Sequence, residues 1–436
     1  MDAESYFLRD LFLGLNASNV NYAVMRNSEA LPDSLAGSDL DILVSQRGPA
    51  ECVFKIAVYA AAKNGGILTS RYDSGAVVAC FAGSGCAGWW GCHIDIFVGL
   101  KYHGSDYANA EWLLANRVIE KRSFYRLQDE TDVVSFVKEI LHNGKTRKDY
   151  YPRAIAVYRA DNGVLSKLFG GCIDEVGIGI LKELLEAERD GNQLCRSASA
   201  LRKHITRRIT ERLADVRSNA ARLFCVPGFC VAFLGTDGSG KSTLIENVKE
   251  PIERMLHSRA HYEHLRPNLL PSLARLAGKP VKEGPTTDPH GGKVAGWISS
   301  LMRFAYYYVD YVIGYWFKIY PILVKRPSMV FFDRYYYEYM LDSRRCAVKL
   351  PRGWARFWSW FIPKPDLILC LGGDPEKIYA RKPETSLEEV RRQVGELKKF
   401  CDGNKRAVWI DTTTSIEASR DAALTAITER MSARYK

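Results

Sequence analysis

The amino-acid sequence predicts an α/β protein with three parts: an α+β domain over residues 1–105, a helical connector over 106–226, and a three-layer domain with a parallel sheet over 227–436. Short apolar runs separated by turn residues fill the first hundred residues, and a helical periodicity follows them. After the Val226-Pro227-Gly228 break, strands and helices alternate, which is typical of βαβ units around a parallel sheet.

Length and composition are those of a folded globular chain. The 436 residues are 47% hydrophobic and 25% charged, which excludes a disordered or collagen-like chain and allows two or three domains of about 150 residues. The start, MDAESYFLRDLFLGL, is charged within its first two turns and lacks the apolar run of a secretory leader. The eleven cysteines are scattered along the chain, as reduced thiols are. We therefore expect a cytoplasmic protein.

In the first domain, the apolar runs predict strands at 22–26, 41–44, 77–81 and 93–98 and a helix over 50–63. From residue 107 to about 224 the pattern is helical, and its last stretch, 201–224, has one apolar face and one basic face. This basic face has two interpretations. It is either the solvated side of a connecting helix or a peripheral contact with a membrane or nucleic acid.

The net charge of +11 is concentrated in the second half of the chain. Residues 229–436 carry 33 basic and 23 acidic side chains, whereas residues 1–100 carry 6 and 10. The C-terminal half is therefore expected to bind anions, such as nucleotide phosphates, nucleic acid or a membrane surface. No RNA-binding motif accompanies the charge, so nucleic acid ranks last among these partners.

The alternation in the C-terminal domain predicts strands at 229–234, 262–265, 328–333, 366–371 and 407–411. Helices are expected between them, one beginning at Ser242 and another at Ser386, where Ser386 and Glu389 have the spacing of a capping box. A parallel sheet follows from this order of elements.

The segment directly after the first of these strands matches the pattern G-x-x-x-x-G-K-[ST]. Glycines in such a loop let backbone N–H groups surround a phosphate, the lysine reaches the β- and γ-phosphate oxygens, and the next hydroxyl binds Mg²⁺. ATP and Mg²⁺ are therefore the expected cofactors. The expected nucleotide-binding residues are Gly235, Gly238, Ser239, Gly240, Lys241, Ser242 and Thr243, of which Lys241 is also catalytic and Ser242 is also a metal ligand.

A second carboxylate is needed near the metal, at the end of a neighbouring strand. The run SMVFFD supplies Asp333, and Arg334 after it is expected to clamp the transferring phosphate. The alternative is that Asp333 caps the next helix while Arg334 forms a surface ion pair. Farther along, one cation of a basic lid is expected to offset charge in the transition state, with a plain solvated helix as the alternative. The lid candidates are Arg381, Lys382, Arg391 and Arg392.

These motifs resemble the thymidylate kinase branch of the nucleoside monophosphate kinases. The resemblance covers residues 229–436 and is carried by G-T-D-G-S-G-K-S-T, the strand-end D-R-Y at 333–335, L-R-P at 265–267, P-D-L-I-L-C-L at 365–371 and the basic lid. It implies a kinase in which Asp237 and Arg266 face the phosphate acceptor and Tyr335 contacts the substrate. Relatives of this kind commonly dimerise, so a homodimer is one possible assembly, but the sequence itself does not indicate the oligomeric state.

The acceptor side departs from that family. A long Pro/Gly-rich insert follows Arg266 and reaches the helix expected near residue 297, and that helix is rich in tyrosine. With Asp342-Ser343-Arg344-Arg345 after the strand, this subtype is similar to kinase-like proteins associated with bacterial surface-polysaccharide clusters, whose acceptor is a sugar or glycan end. Segment 306–324 is the one membrane candidate, but it contains Asp310 and Lys318. We expect a buried helix that lines the acceptor pocket.

Carboxylates of the first domain point to a second site. Asp39 and Asp41 lie two residues apart on one strand, so both face the same side, and Asp95 follows on another strand. Three converging carboxylates can hold two Mg²⁺ ions. The pattern resembles the DNA polymerase beta-like nucleotidyltransferases over residues 15–165. Those enzymes hold the triphosphate with a Gly-Ser pair, whereas this chain has Met25-Arg26-Asn27-Ser28 there. Either Arg26 replaces the pair as a phosphate ligand, or the domain only binds a nucleotide or the acceptor. The structural alternative is that the acidic residues lie in an exposed turn.

The sequence thus predicts an ATP-dependent kinase that phosphorylates a small-molecule acceptor resembling a nucleoside monophosphate. Four alternatives stay open: a kinase acting on a sugar or glycan, a nucleotidyltransferase at the N-terminal carboxylates, an ATP-binding switch without catalysis, and a nucleic-acid end kinase. No motif in the insert or the tyrosine-rich helix identifies the acceptor.

Overall fold

The computed structural model describes residues 2–73, 75–86, 88–120, 123–145, 149–186, 191–206, 216–217, 220–271, 296–341, 351–383 and 385–435. The chain forms two compact units, Met1–Cys225 and Val226–Lys436. Both mix helices and strands, which confirms the α/β class. Two sequence features lie wholly or mostly outside the described residues: the insert after Arg266 and the segment 342–345. The helix predicted over 201–224 is wrong at its start, because the helix Gly191–Leu201 ends there and Ile205 forms an isolated bridge with Ile173. Residues 207–215 and 218–219 of this stretch lie outside the described residues.

The N-terminal unit is built on a mixed seven-stranded sheet. Its order is β3-β4-β5-β2-β1-β9-β8, with β2 parallel to β5 and β1 parallel to β9, while β6 and β7 form a separate hairpin. The strands are β1 Tyr22–Val24, β2 Leu40–Val44, β3 Gly66–Asp73, β4 Ala76–Gly85, β5 Gly88–Val98, β6 Leu100–Tyr102, β7 Ser105–Ala108, β8 Val118–Glu120 and β9 Phe124–Arg126.

The two faces of this sheet belong to different cores. Side chains alternate along β2, so Leu40, Ile42 and Val44 lie on one face and pack in a core with the first two helices. Leu43 lies on the other face and packs in a second core with the later helices. Asp41 shares the face of Leu43. The helices of the unit span Ala3–Ala17, Arg47–Lys63, Ala110–Ala115, Glu130–Asn143, Tyr150–Ala160, Val164–Phe169, Glu175–Glu186 and Gly191–Leu201.

The helical stretch expected over 106–226 is interrupted by strands. β8 and β9 lie inside it and complete the sheet, with β9 pairing next to β1 through Val24 and Arg126. Each of these strands has three residues. Such short strands show no alternation that can be told from the surrounding helical pattern, so pairing with β1 rather than local sequence determines them.

The C-terminal unit contains a five-stranded sheet in the order β11-β12-β10-β13-β14, with every pair parallel. This confirms the parallel sheet expected from the alternation. The strand order reverses direction at the central β10, and ligands of such sheets bind outside the carboxyl ends of the strands at that point. The strands are β10 Phe229–Gly235, β11 His261–His264, β12 Met329–Asp333, β13 Leu367–Gly372 and β14 Ala407–Asp411.

Helices lie between these strands. Ser386 caps the helix at 387–402, because its Oγ accepts the Glu389 backbone N–H at 3.2 Å. The Glu389 carboxylate also binds the Arg392 guanidinium at 2.6 Å. The helices span Lys241–Leu256, Trp297–Gly314, Tyr320–Lys325, Glu338–Leu341, Arg352–Trp358, Pro375–Arg381, Leu387–Asp402 and Ile416–Ser432, with a π-helical turn at Tyr315–Ile319.

Segment 306–324 corresponds to the helix Trp297–Gly314, the π-helical turn and the start of the next helix. Phe304 and Tyr311 are buried, but Trp316 and Phe317 are exposed, so the expectation of a buried helix holds for one side of it only. Among the described residues, no helix is both long enough and apolar enough to cross a membrane.

Candidate functional sites

The loop between β10 and the helix Lys241–Leu256 has the backbone that its glycines predict. Gly238 and Gly240 have φ angles of 80° and 79°, in the left-handed region that side chains disfavour. A Cβ atom on Gly238 would also lie 2.8 Å from the Ile378 carbonyl oxygen. Because the loop runs directly into a helix, its backbone N–H groups and the positive end of the helix dipole lie together.

The Lys241 side chain points back into this loop. Its Nζ donates hydrogen bonds of 2.7 Å to the carbonyl oxygens of both Gly235 and Thr236, and the residue is only 7% exposed. Burial, together with the neighbouring Arg334 charge, lowers the pKa of Lys241 to about 7. A negatively charged ligand next to the amine would therefore favour its protonated form.

Hydroxyl groups surround the same loop. The Oγ1 of Thr236 and the Oγ of Ser239 are buried and have no hydrogen-bond partner among the described residues. Ser242 and Thr243 lie on the first turn of the helix and are exposed. Buried hydroxyls without a partner are costly, so a polar ligand in the loop would relieve them.

The neighbouring strand β12 ends at Asp333, which lies beside Phe233 of β10 in register. Asp333 is 6% exposed, and its Oδ2 accepts a hydrogen bond of 3.0 Å from the Tyr262 hydroxyl of β11. Its Oδ1 is buried and accepts no hydrogen bond within the part of the chain that the structure describes. Burial and the Asp333 carboxylate raise the pKa of Tyr262 to about 12, so Tyr262 stays a hydrogen-bond donor.

Arg334 is held from three directions. Its backbone has a φ of 71° and its N–H donates to the Phe233 carbonyl at 2.9 Å. The guanidinium binds Asp237 Oδ1 at 2.9 Å and Glu338 Oε2 at 3.3 Å. Burial disfavours its charge, but the Glu338 and Asp237 carboxylates raise the pKa of Arg334 above its usual value. The guanidinium is thus fixed and charged, and it joins the loop 235–242 to the end of β12.

A pocket opens between the loop and the helix Leu387–Asp402. Its empty volume, including the open mouth, is about 340 Å³. Its lining combines polar groups with two leucines. It is lined by Gly235, Thr236, Arg334, Glu338, Leu341, Gln393 and Leu397.

Two residues expected to face the substrate are used elsewhere. Tyr335 is 1% exposed, and its hydroxyl donates to the Pro363 carbonyl inside the core. Arg266 binds the fully buried Asp310 at 2.5 Å, and its guanidinium lies 4.6 Å from the centre of the Tyr307 ring. Both side chains thus stabilise the fold where a substrate contact was expected, because an unpaired buried charge or hydroxyl is costly.

The lid candidates also have partners. Arg381 ends its helix and donates to the Thr412 carbonyl at 2.9 Å, Arg391 pairs with Glu376, and Arg392 pairs with Glu389 at 2.6 Å. Lys382 lies against the loop 235–242, since a Cβ on Gly238 would lie 3.1 Å from Lys382 Cβ. Exposed ion pairs such as these are weak, so they restrain the lid little.

Sequence reasoning missed Tyr262 and Glu338, which bind Asp333 and Arg334. Glu338 lies four residues after Arg334, and the opposite charges at this spacing could have suggested the pair, although Arg334 precedes the helix that begins at Glu338. Tyr262 lies on a strand, and no spacing in the sequence indicates that it binds Asp333. Its role depends on β11 and β12 being neighbours.

The N-terminal unit brings two of its three predicted carboxylates together. Asp41 and Asp95 are directly paired in the parallel register of β2 and β5, so their side chains leave the same face of the sheet. Asp39 precedes β2 by one residue and is partly exposed. Among the described residues no group of three His, Cys, Asp or Glu side chains is arranged to hold a metal ion.

Basic groups face these carboxylates. Arg26 forms a short ion pair with Asp41 and donates to the Tyr150 hydroxyl at 3.0 Å. Burial raises the pKa of Asp41 although Arg26 opposes this shift, and burial with the Arg26 charge lowers the pKa of Lys138. A pocket of about 270 Å³ lies beside them. It is lined by Met25, Arg26, Val134, Ser135, Lys138, Glu139 and Tyr150.

His93 and Cys80 extend this face of the sheet. His93 Nε2 lies 3.0 Å from Asp95 Oδ1, and His93 Nδ1 lies 3.7 Å from Cys80 Sγ. Burial disfavours the charged imidazole, but Cys80 and Asp95 raise the pKa of His93 above its usual value. Asp95 is therefore engaged with His93, as Asp41 is with Arg26.

No family model matches the sequence, and no curated protein is similar to it. The chemistry of both sites therefore rests on their geometry.

Proposed function

We propose that the C-terminal unit is a thymidylate kinase-like P-loop kinase. It would bind MgATP in the loop 235–242 and transfer the γ-phosphoryl group to a small acceptor resembling a nucleoside monophosphate. The observation that carries the proposal is the meeting of three groups at the carboxyl ends of β10 and β12. These groups are the Lys241 ammonium, the half-satisfied Asp333 carboxylate and the fixed Arg334 guanidinium.

The phosphate loop supports the nucleotide part of the proposal. A triphosphate in the loop would accept hydrogen bonds from its backbone N–H groups and from the buried Ser239 hydroxyl. It would also draw Lys241 Nζ from the Gly235 and Thr236 carbonyls toward the phosphate oxygens. The low pKa of Lys241 fits this role, because the phosphate charge would replace the missing stabilisation of the ammonium.

Two oxygen groups beside the loop fit a magnesium ion. Asp333 Oδ1 is buried without a hydrogen-bond partner among the described residues, and the Ser242 hydroxyl is exposed on the first helical turn. Carboxylate and hydroxyl oxygens suit this hard cation. Ser242 and Asp333 would hold the ion, which supplies positive charge against the β- and γ-phosphates.

Arg334 supports the transfer part of the proposal. Phosphoryl transfer needs little covalent help from the protein and depends on positioning and on neutralising charge over the transferred group. Arg334 borders the pocket next to Gly235 and is held by Asp237 and Glu338, so it would not have to reorganise during the reaction. The acceptor would enter from the pocket side of this guanidinium.

The experiment is ATP turnover by the full chain with nucleoside monophosphates, sugars and sugar phosphates as acceptors. We expect ADP formation with a nucleoside monophosphate, loss of it in Lys241→Ala, and no loss in Lys249→Ala, an exposed lysine of the same helix. Turnover with a sugar alone would assign the kinase to glycan synthesis. ATP binding without turnover on any acceptor would favour a switch. Phosphorylation of DNA or RNA ends only would favour an end kinase.

Nucleotidyl transfer by the N-terminal unit is a second candidate, favoured by the pairing of Asp41 with Asp95 on one sheet face. Arg26 and Lys138 next to the pocket would attract the phosphates of an incoming nucleotide. If this is the main chemistry, Asp41→Ala abolishes pyrophosphate release from a nucleoside triphosphate while Lys241→Ala leaves it unchanged. The opposite pattern would leave the N-terminal unit an accessory to the kinase.

A further inference from the structure

One side of the helix Trp297–Gly314 and of the π-helical turn after it is apolar and exposed. The exposed residues recur every three or four positions, which forms a stripe along the helix. Met302 is 69% exposed and Phe317 is 75% exposed. We call this stripe the apolar face. It consists of Trp297, Ile298, Met302, Val309, Ile313, Trp316 and Phe317.

A second aromatic segment lies beside the apolar face. The Tyr308 ring is 5.3 Å from the Trp358 ring, and its hydroxyl donates to the Trp358 carbonyl at 3.4 Å, so the helix Arg352–Trp358 packs against the helix Trp297–Gly314. This neighbouring segment exposes more large side chains. They are Trp354, Phe357, Trp360 and Phe361. Exposed apolar area on this scale marks an interaction surface.

The two segments that carry these exposed apolar side chains are basic, although acidic side chains of other elements lie near some of their cations, as Glu396 does in the pocket that Arg356 also lines. Residues 296–326 and 351–364 contain a single acidic side chain, Asp310, which is fully buried against Arg266. Among the basic side chains, Lys318 is neutralised by Glu263 at 2.5 Å. The other basic side chains, which we call the basic rim, give these two segments a net positive charge. They include Arg303, Lys325, Arg326, Arg356 and Lys364.

We propose that the apolar face docks the protein onto the surface of a bilayer that contains anionic lipid. Interfacial helices combine Trp, Phe and aliphatic side chains with nearby Lys and Arg and lie parallel to the membrane plane. The 18-residue helix would lie flat over about 27 Å of the interface. Trp and Phe insert at the headgroup boundary, and the basic rim binds the lipid phosphates.

The charge pattern favours a membrane over a second copy of the chain. In a symmetric dimer the same patch meets itself, so two segments that each have an excess of basic side chains would face their own copies and repel them. An anionic headgroup layer supplies the missing negative charge. The proposal is independent of the kinase reaction, since it uses none of the residues around the phosphate loop.

The test is co-sedimentation of the full chain with vesicles of phosphatidylcholine alone or mixed with phosphatidylglycerol. We expect binding to the mixed vesicles, and roughly tenfold weaker partitioning for Ile313→Glu, because a buried isoleucine contact is lost. Replacing Lys325 and Arg326 by Gln should weaken binding roughly fivefold per residue. Ile416→Glu is the matched control, since Ile416 is 55% exposed at the start of the helix after β14.

Three results would overturn the proposal. The wild-type chain could stay in solution with both kinds of vesicle, or Ile416→Glu could lose as much binding as Ile313→Glu. Sedimentation equilibrium could also show a dimer that Ile313→Glu dissociates, which would assign the apolar face to a second copy. Circular dichroism of each variant verifies that the fold is kept, so that loss of binding reports on the surface alone.

Discussion

Lys241 shows how burial sets the charge of a single residue in this protein. Its amine is buried, receives no direct carboxylate contact among the described residues and has a pKa of about 7. Around neutral pH, a substantial part of the protein therefore carries this lysine uncharged. A triphosphate would stabilise the ammonium and shift its pKa toward the ordinary value.

We expect ATP binding to take up a proton above the pKa of Lys241. Uptake should approach one proton per ATP at about pH 8.5, where the free amine is neutral, and should fall toward zero at about pH 6, where it is already charged. Calorimetric titrations with ATP in two buffers of different ionisation enthalpy measure this number. Equal uptake at both pH values would contradict the assignment.

The key residues were predictable only in part. The phosphate loop and Asp333 could be predicted, because both follow apolar strands and the loop has a fixed glycine pattern. Their partners could not be predicted, because Tyr262 reaches Asp333 only when β11 pairs with β12. Arg266 and Tyr335 match the family pattern, but Arg266 binds Asp310 and the Tyr335 hydroxyl donates to the Pro363 carbonyl. No spacing in the sequence predicts either partner.

At the scale of elements, one helix holds the loop that follows β11. Asp310 of the helix Trp297–Gly314 accepts hydrogen bonds from Arg266, from the Asn268 N–H at 3.2 Å and from the Leu270 N–H at 2.7 Å. Asp310 is fully buried, and a buried carboxylate is costly without partners, so these three hydrogen bonds stabilise it. The loop is thereby tied to the helix that bears the apolar face.

Asp310→Ala should cost about 3–5 kcal/mol in the free energy of unfolding, because Arg266 would be left as a buried charge without its partner. Denaturant unfolding followed by tryptophan fluorescence measures the change. Asp402→Ala is the control: Asp402 is 61% exposed and pairs with Lys398 at 3.1 Å, so its loss should cost less than about 1 kcal/mol. Equal losses would argue against a structural role for the Asp310 cluster.

Strand prediction succeeded where burial is continuous and failed where strands are short. β10, β12 and β13 are unbroken apolar runs buried on both faces, so their ends were predicted to within about one residue. β8 and β9 have three residues each and become strands by pairing at the sheet edge. The helix Trp297–Gly314 was predicted, but its exposure was not, because apolar residues occur all around it.

At the scale of the whole molecule, each compact unit has its own hydrophobic core. The N-terminal unit has a core on each face of its mixed sheet, and the C-terminal unit packs its helices against the parallel sheet. Units with separate cores usually fold independently. The ATP chemistry proposed here needs residues of the C-terminal unit only.

We therefore expect residues 226–436, expressed alone, to unfold in one cooperative transition and to bind ATP as the full chain does. Circular dichroism against denaturant concentration tests the fold, and calorimetry tests binding. The same fragment with Ile313→Glu guards against aggregation through the apolar face. Failure of both fragments to fold would show that the C-terminal unit requires the rest of the chain.

The apolar face also has a consequence for how the protein behaves in solution. Apolar contacts through exposed Trp316 and Phe317 favour association between protein molecules, whereas the positive charge of the basic rim opposes it. Salt screens that repulsion, and strongly hydrated anions such as sulfate strengthen apolar association. Solubility should therefore fall steeply as ammonium sulfate is added and recover with a mild non-ionic detergent, which coats the exposed aromatic rings.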